Sequence, residues 1–337
     1  MSAVNLTLEK AYALSVMALV TCGASRENAA ATARALISAE ADGQQSHGLT
    51  RIPSYCCQLR SGKVDGKSTP SLTNLSQAAL GIDAHHGFAY PALELATREL
   101  VSLTKEMGVA MATIRRSHHF GQAGAHVERL AEEGFIGIVF GNSPKAIAYW
   151  GSSKPAMGTN PIAFAAPLQH GPPLVIDLAF SVAARGKIVA AEKVGKNIPL
   201  GWALDSAGLP TQDPKEALSG SMVALGGVKG AALALMVEVL AAALTGSAFG
   251  FEASSLFTAD GEAPNLGQTL IALNPEKLSS GAYFDRMAIL VNDIKQTEGA
   301  RLPGIRRLEK RKESKLRGVH ISQSLYQEIM GLANKDA

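Results

Sequence analysis

Aromatic side chains are scarce in this sequence of 337 residues, at 5% of the chain, whereas hydrophobic residues make up 47%. Alanine, leucine, valine and glycine dominate instead. This composition favours helices packed closely against a sheet over an aromatic-rich β-sandwich. The length allows one large domain or two ordinary ones, with a sizeable buried core.

Cysteine is also rare, with Cys22, Cys56 and Cys57 alone in the sequence. The number is odd, two of the three are adjacent, and the CxxC spacing is missing. These facts argue against a disulfide framework and a zinc site, so we expect three reduced thiols and no bound metal.

Strong charge and targeting signals are missing as well. The net charge is +3, no nucleic-acid-binding signature is present, and the one basic cluster, Arg301 to Arg317, is typical of a solvated helix face. The N-terminus has no basic stretch followed by an apolar one. The apolar run from Ala231 to Leu244 contains Glu238 and is shorter than the roughly 20 residues of a membrane span. We therefore expect a cytoplasmic protein without nucleic-acid or membrane partners.

The usual nucleotide-binding fingerprints, GxGxxG and GxxxxGK[ST], do not occur. The Gly226 to Gly230 turn, which contains Lys229, resembles a phosphate-binding loop only weakly. A nucleotide site must therefore be argued from other segments.

The hydrophobic periodicity changes along the chain. Helical spacing from Thr7 to Cys22 and from Glu27 to Ala41, followed by a short helix from about Leu49, fills the N-terminal part. Alternating strands and helices follow, which predicts an α/β layer. After Pro275 the pattern becomes helical and charged. The predicted strands are Ala78 to Asp83, Val109 to Arg115, Ile136 to Asn142, Ile162 to Ala166, Leu174 to Leu178 and Thr269 to Leu273.

The segment from Asp42 to Arg51 contains the first candidate chemistry. His47 can exchange a proton near neutral pH, Ser46 can hydrogen-bond to it, and Arg51 offers a planar fork that matches a carboxylate. A polar loop with a surface histidine explains the local pattern equally well.

Three later segments also place polar groups at the ends of predicted elements. His118 and His119 follow a strand and precede a helix, whose free N–H groups suit a dinucleotide pyrophosphate. Thr159 lies in a turn before a strand, where it can bind a substrate oxygen or simply belong to the turn. Asp177 closes an apolar strand, either as a ligand-binding group or as a helix cap.

Taken in order, the segments resemble the malate/L-lactate dehydrogenase family, whose fold is not the Rossmann fold. That family includes Δ1-piperideine-2-carboxylate and Δ1-pyrroline-2-carboxylate reductases, ureidoglycolate dehydrogenase and sulfolactate dehydrogenase. The resemblance extends from about Thr7 to about Arg311. The segments that carry it are residues 42–51, 117–121, 158–161, 177–179, 226–230 and 301–304.

The resemblance implies a mixed α/β fold in which a helical part packs on an α/β sandwich domain. The helical domain would comprise residues 1–75 and about 300–337, and the α/β domain residues 76–299. It also implies a homodimer.

The same resemblance implies roles for individual residues. His47 is expected to donate a proton with Ser46 beside it in a relay, while Arg51 and Thr159 bind the substrate. In some imine reductases of the family an aspartate joins the relay, and the matching position here is Lys187, a candidate catalytic residue. The implied dinucleotide site comprises His119, Phe120, Gly121, Gln122, Ala123, Asp177, Leu178, Ala179, Lys229, Gly230, Arg301, Leu302 and Pro303.

Two stretches, Ala207 to Pro214 and Leu225 to Glu252, look most similar to the cyclic-imine reductases. We therefore expect reduction of Δ1-pyrroline-2-carboxylate and Δ1-piperideine-2-carboxylate to L-proline and L-pipecolate. The alternative is a malate- or lactate-type dehydrogenase acting on a 2-oxo acid. A basic residue in the substrate wall around Arg51 would indicate a second acidic group, and an apolar or aromatic wall would indicate a proline ring.

The expected cofactor is NADPH, with NADH as the other possibility. The 2′-phosphate of NADPH requires basic or hydroxyl groups, which Arg115, Arg116 and Arg185 can supply, although each is equally compatible with ordinary surface. A non-catalytic binding protein of the same fold is the remaining alternative. The joint presence of Ser46, His47, Arg51 and Lys229 argues against it.

Overall fold

A computed structural model describes residues 3–334 and confirms the mixed α/β class. The strands are β1 (Ala3–Leu6), β2 (Ser71–Ser76), β3 (Ala79–Asp83), β4 (Val109–Ser117), β5 (Ile136–Gly141), β6 (Ile147–Ala148), β7 (Pro155–Met157), β8 (Ile162–Ala166), β9 (Leu174–Leu178), β10 (Ala203–Leu204), β11 (Pro210–Thr211), β12 (Ser221–Met222), β13 (Leu266–Leu273) and β14 (Val319–Ser322). The α-helices are α1 (Leu8–Thr21), α2 (Arg26–Ala41), α3 (Ile52–Ser61), α4 (Ala89–Met107), α5 (Ala123–Glu132), α6 (Arg185–Lys193), α7 (Pro214–Ser219), α8 (Val228–Glu238), α9 (Pro275–Leu278), α10 (Tyr283–Gln296), α11 (Ile305–Arg317) and α12 (Gln323–Ala333).

A seven-stranded sheet with the order β2-β3-β4-β13-β5-β8-β9 forms the centre of the α/β part. Its β3 and β4 are parallel, whereas its other neighbouring strands are antiparallel. Helices α4 and α5 pack against this sheet, and their core consists mainly of alanine and aliphatic side chains. The scarcity of aromatic residues thus corresponds to close helix-on-sheet packing.

The helical layer brings together the two ends of the chain. Thr7 and Ser25 cap α1 and α2, since their side chains accept hydrogen bonds from the N–H groups of Lys10 and Asn28. Helices α1, α3 and α12 pack around a core of their own. This packing is what the predicted helical domain requires, although its boundaries stay a prediction.

The sequence analysis did not predict the shortest elements. A five-stranded sheet, β11-β10-β12-β6-β7, is made of strands of only two or three residues, too short to show an alternating pattern. Strand β14, which pairs with β1, interrupts the C-terminal part that was predicted to be entirely helical. In addition, α3 begins at Ile52, after two 3₁₀ turns, Gln45–His47 and Leu49–Arg51.

None of the helices between residues 3 and 334 has the length and apolar character needed to span a membrane. Cys22, Cys56 and Cys57 are free thiols, the first two of them buried.

Candidate active site

A cavity of about 370 Å³ lies where the loop after α2 meets the large sheet. It brings together Ser46, His47, Arg51 and Thr159, which are far apart in the sequence. The residues that line it come from six segments, at positions 44–51, 119–123, 142–146, 159–161, 177–186 and 253–257.

The first wall of the cavity is the pair of 3₁₀ turns that carries Ser46, His47 and Arg51. Glu40, buried in α2, supports these turns because its Oε2 accepts a hydrogen bond from the N–H of Leu49 at 2.9 Å. A Cβ at Gly48 would overlap the same carboxyl group, so glycine is required there. Burial raises the pKa of Glu40 to about 7.

Arg51 lies in the wall with its guanidinium held from two sides. Its Nε donates to the backbone carbonyl of Ser46 at 2.7 Å, and its Cζ lies 4.9 Å from the ring centroid of Phe257. Within residues 3–334 no carboxylate forms an ion pair with Arg51. The side chain is 8% exposed and lines the cavity, so it is placed to bind an anionic group there.

His47 stacks on His119, with ring centroids 5.3 Å apart and planes inclined by 20°. Tyr55 orients His119 from behind, because its hydroxyl lies 2.6 Å from His119 Nδ1 and 3.1 Å from the hydroxyl of Tyr90. Burial, together with the positive charge of Arg51, lowers the pKa of His47 to about 3 and that of His119 well below its ordinary value. Both imidazoles are therefore neutral near pH 7.

Thr159 lines the cavity from the turn between β7 and β8. Its N–H donates to Ser143 Oγ at 3.1 Å. The next residue, Asn160, has a positive φ of 43° and donates through Nδ2 to the buried carboxylate of Glu238 at 2.9 Å. Glu238 also accepts hydrogen bonds from the N–H groups of Gly158 and Gly250. This network fixes the turn that presents Thr159.

The residues at the start of α5 suit a dinucleotide. Gly121 has a φ of 68°, and the side chain of the N-cap residue Gln122 forms no capping hydrogen bond. Because the N–H groups of Gly124 and Ala125 already have partners, the N–H groups ahead of Gly124 are the ones that can bind phosphate oxygens. Asp177 Oδ2 accepts a hydrogen bond from the Gly124 N–H at 2.8 Å, which joins β9 to this helix. Burial raises the pKa of Asp177. Seven of the residues predicted for the cofactor site line the cavity: His119, Phe120, Gly121, Gln122, Ala123, Asp177 and Ala179. Their role in cofactor binding stays a prediction.

A buried ion-pair network links the end of α2 to α5. Asp42 binds Arg311 at 2.6 Å and Arg307 at 3.3 Å, and Glu128 in α5 binds the same two arginines. Gln122 Nε2 also donates to Asp42 at 2.9 Å. Helix α11 therefore fixes α2 and α5 relative to each other.

Other predicted site residues lie outside this cavity. Lys187 is exposed, and its Nζ lies 5.7 Å from the ring centroid of Trp202. Leu178 and Lys229 are exposed, and Gly230 is buried at the start of α8. Arg301, Leu302 and Pro303 line a second cavity, beside the start of α11.

The three arginines proposed for a 2′-phosphate are also separated. Arg115 and Arg116 both form ion pairs with Asp83, at 3.0 and 2.6 Å. Arg185 lines the main cavity instead.

The sequence analysis missed two parts of the cavity wall. Residues 142–145 directly follow β5, and the end of a strand in an α/β sheet is a position where ligand-binding groups are expected. Lys145 was therefore accessible to prediction. The loop that carries Leu256 and Phe257 contains no motif, and its position depends on contacts formed only in the folded chain.

Comparison with known proteins agrees with this geometry. The family model described as malate/L-lactate dehydrogenase matches residues 6–330. The chain is 49% identical over 308 residues to a (2R)-3-sulfolactate dehydrogenase (NADP(+)) of Chromohalobacter salexigens, covering 91% of this chain and 92% of that protein. It is 40% identical over 315 residues to a Δ1-pyrroline-2-carboxylate/Δ1-piperideine-2-carboxylate reductase of Pseudomonas syringae pv. tomato, covering 93% and 92%.

A solved structure shows the same fold. The crystal structure of Δ1-piperideine-2-carboxylate reductase from Pseudomonas syringae pv. tomato superposes with a TM-score of 0.92 at 38% identity, over 98% of this chain and 99% of the other. The resemblance inferred from the short motifs is thereby confirmed. The chain belongs to the malate/L-lactate dehydrogenase family and is an NAD(P)-dependent oxidoreductase.

Proposed function

We propose that this enzyme interconverts a 2-hydroxy acid and its 2-oxo acid with NADP(H), and that the substrate carries a second anionic group, as 3-sulfolactate does. The observation that carries the proposal is the charge of the cavity wall. Arg51, Lys145 and Arg185 all line the cavity. The one carboxylate among the lining residues, Asp177, already accepts a hydrogen bond from Gly124.

Lys145 and Arg185 lie beside the residues expected to contact substrate. Lys145 is two positions from Ser143, which binds the backbone of Thr159, and Arg185 Nη1 donates to the carbonyl of Lys145 at 3.0 Å. A Cβ at Gly186, the next residue, would lie 3.2 Å from the Cβ of Ser46. The second anion would thus bind at the substrate end of the cavity.

The electrostatics of Arg185 favour an anionic ligand. Neither Arg185 nor Lys145 forms an ion pair with a carboxylate in the described part of the chain, residues 3–334. Burial without such a partner lowers the pKa of the Arg185 guanidinium. A sulfonate or carboxylate of the substrate would offset that unfavourable burial.

The residues that line the cavity suggest the following roles in the reaction. When bound, NADPH supplies the hydride. Arg51 and Thr159 hold the C2 carboxylate so that the carbonyl carbon is oriented for the reaction, and such positioning lowers the barrier by up to about 7 kcal/mol. His47 supplies the proton to the developing alkoxide, and the C2 carboxylate beside Arg51 raises the pKa of His47 toward the range that this role requires.

Substitutions in the cationic pair test the proposal. We expect Arg185→Met and Lys145→Met to raise KM for 3-sulfopyruvate at least about tenfold, since each removes a charged hydrogen bond, while KM for pyruvate changes little. Lys193→Met, an exposed lysine of the same helix, is the matched control. An increase in KM for NADPH instead would assign the pair to a cofactor phosphate and contradict the proposal.

The cyclic imines predicted from the sequence are the second candidate. The aromatic ring of Phe257 against Arg51 favours them, because it offers an apolar surface to a five- or six-membered ring. A neutral His47 also suits an imine, which is basic enough to arrive protonated. The Pseudomonas syringae relative supports this candidate, and the Chromohalobacter relative supports the first.

The homodimer implied by the resemblance is part of the proposal. An exposed apolar face runs along α8 and the π-helical turn that follows it. Its side chains are 37–53% exposed and belong to Leu233, Leu235, Met236 and Val239. Exposed apolar patches of this kind are typical of subunit contacts. Light scattering should give twice the chain mass, and Leu235→Asp should shift the mass toward the monomer. An unchanged mass would exclude this face as the contact.

A further inference from the structure

The loop that carries Phe257 is held to the helical layer by a buried lysine. The Nζ of Lys63 donates to the backbone carbonyls of Ser255 at 2.7 Å, Thr258 at 3.1 Å and Asp260 at 2.6 Å. An ammonium group has three N–H donors, so these carbonyls satisfy it completely. The side chains of Gln58 and Ser61 donate to carbonyls of the same loop.

The three hydrogen bonds of the Lys63 ammonium group all go to the backbone of one loop. Lys63 is 3% exposed and forms no ion pair within 4 Å among residues 3–334. Burial lowers the pKa of Lys63, and the charge of Asp260 in the same loop partly offsets this effect. An apolar side chain at this position would leave the three carbonyls without a donor, and a buried carbonyl without a partner is unfavourable. Because its three donors lie on one atom, Lys63 holds the three carbonyls at fixed positions and so fixes the path of the loop backbone.

The loop path determines the surroundings of Arg51. Ser255, Leu256 and Phe257 line the cavity, and the Phe257 ring lies against the Arg51 guanidinium. We propose that Lys63 is a positioning residue for substrate binding: by fixing three carbonyls of the 255–260 loop, it places Phe257 against Arg51 and so sets the orientation of the carboxylate clamp. The inference rests on the proposed role of Arg51 and is independent of the second anion.

The test is a double-mutant cycle with steady-state kinetics. Lys63→Met and Phe257→Ala are each expected to raise KM for the carboxylate substrate about tenfold, with KM for NADPH unchanged and kcat changed less than about twofold. Because both act through one contact, Lys63→Met in the Phe257→Ala background should add less than about a factor of two. Lys277→Met removes a comparable lysine–carbonyl bond, Nζ to Glu106 O at 2.8 Å, outside the cavity and serves as the control.

The outcomes separate the possible roles. Two results would overturn the inference and leave Lys63 with a structural role. One is a Lys63→Met enzyme that unfolds at a lower temperature but keeps its KM. The other is a double variant in which the effects of the two substitutions on KM multiply. If Lys63→Met does not fold, Ser61→Ala replaces it, because this variant removes an exposed hydrogen bond from Ser61 to the same loop. Ser61→Ala should give a smaller rise in KM, and an unchanged KM would overturn the inference. KM is measured for both Δ1-pyrroline-2-carboxylate and 3-sulfopyruvate, so the test is valid whichever is the substrate. An unchanged KM in Arg51→Lys would instead refute the proposed role of Arg51 as the carboxylate clamp.

Discussion

The imidazoles of His47 and His119 stack with ring centroids 5.3 Å apart, and both are neutral near pH 7. Protonating His47 there would place a second positive charge near Arg51. An anionic substrate changes this balance, because its charge compensates that of Arg51. The acidity of His47 is therefore expected to depend on what the cavity holds.

The pH dependence of kcat/KM for a 2-oxo acid should reveal this. kcat/KM reports the free enzyme, in which the pKa of His47 is about 3. If the protonated form is required, kcat/KM keeps rising as the pH falls from 8 to 5, with no plateau near the ordinary value of 6.5. A plateau between pH 6 and 7 would show that the free enzyme has an ordinary His47.

Removal of the imidazole should affect the two substrate classes differently. We expect His47→Ala to lower kcat for a 2-oxo acid by roughly 100-fold or more, the usual contribution of a general acid. An imine can bring its own proton, so its reduction should fall much less. The comparison needs initial rates of NADPH oxidation at saturating substrate, and equal losses would remove the distinction.

Glu40 should make stability depend on pH in the opposite sense to most carboxylates. Its folded-state pKa of about 7 exceeds the ordinary 4.5, so the folded state binds the extra proton. The contribution of Glu40 is complete below about pH 4.5 and is lost as the pH rises to about 7. Urea titrations should therefore show Glu40→Gln gaining up to about 3 kcal/mol relative to the parent over this range. A difference independent of pH would contradict the raised pKa.

Lys187 provides a test of the sequence-based relay. Its Nζ lies over Trp202, and the side chain is not part of the cavity wall. From this placement we expect Lys187→Met to change kcat less than about twofold with any substrate. A loss of two orders of magnitude would support the catalytic role that the position in the sequence implies.

How much of the structure could be predicted from the sequence depended on how far apart in the chain the interacting residues lie. The strand that ends at Leu178 and the helix capped by Thr7 were predictable, because a short apolar run and a capping residue are local patterns. His47 and Arg51 line the same cavity, but they lie on two successive 3₁₀ turns and not on one helix face, so their separation by four residues did not by itself predict the placement. The contact between Arg51 and Phe257 was not predictable, since it joins residues more than 200 positions apart through a loop without a motif. Likewise, nothing near Asp42 in the sequence indicates its pairing with Arg311.

The central claim is that the cationic wall selects a substrate with two anionic groups. The most direct measurement is NADPH oxidation, followed by its absorbance, with 3-sulfopyruvate, pyruvate and Δ1-pyrroline-2-carboxylate assayed side by side. The account predicts a kcat/KM for 3-sulfopyruvate at least about 100-fold above that for pyruvate, and above that for the imine as well. The reason is that Lys145 and Arg185 can each add a charged hydrogen bond to the second anion, worth about 1.5–3 kcal/mol. Faster turnover of the imine would contradict the claim and would instead assign the enzyme to the cyclic-imine reductases.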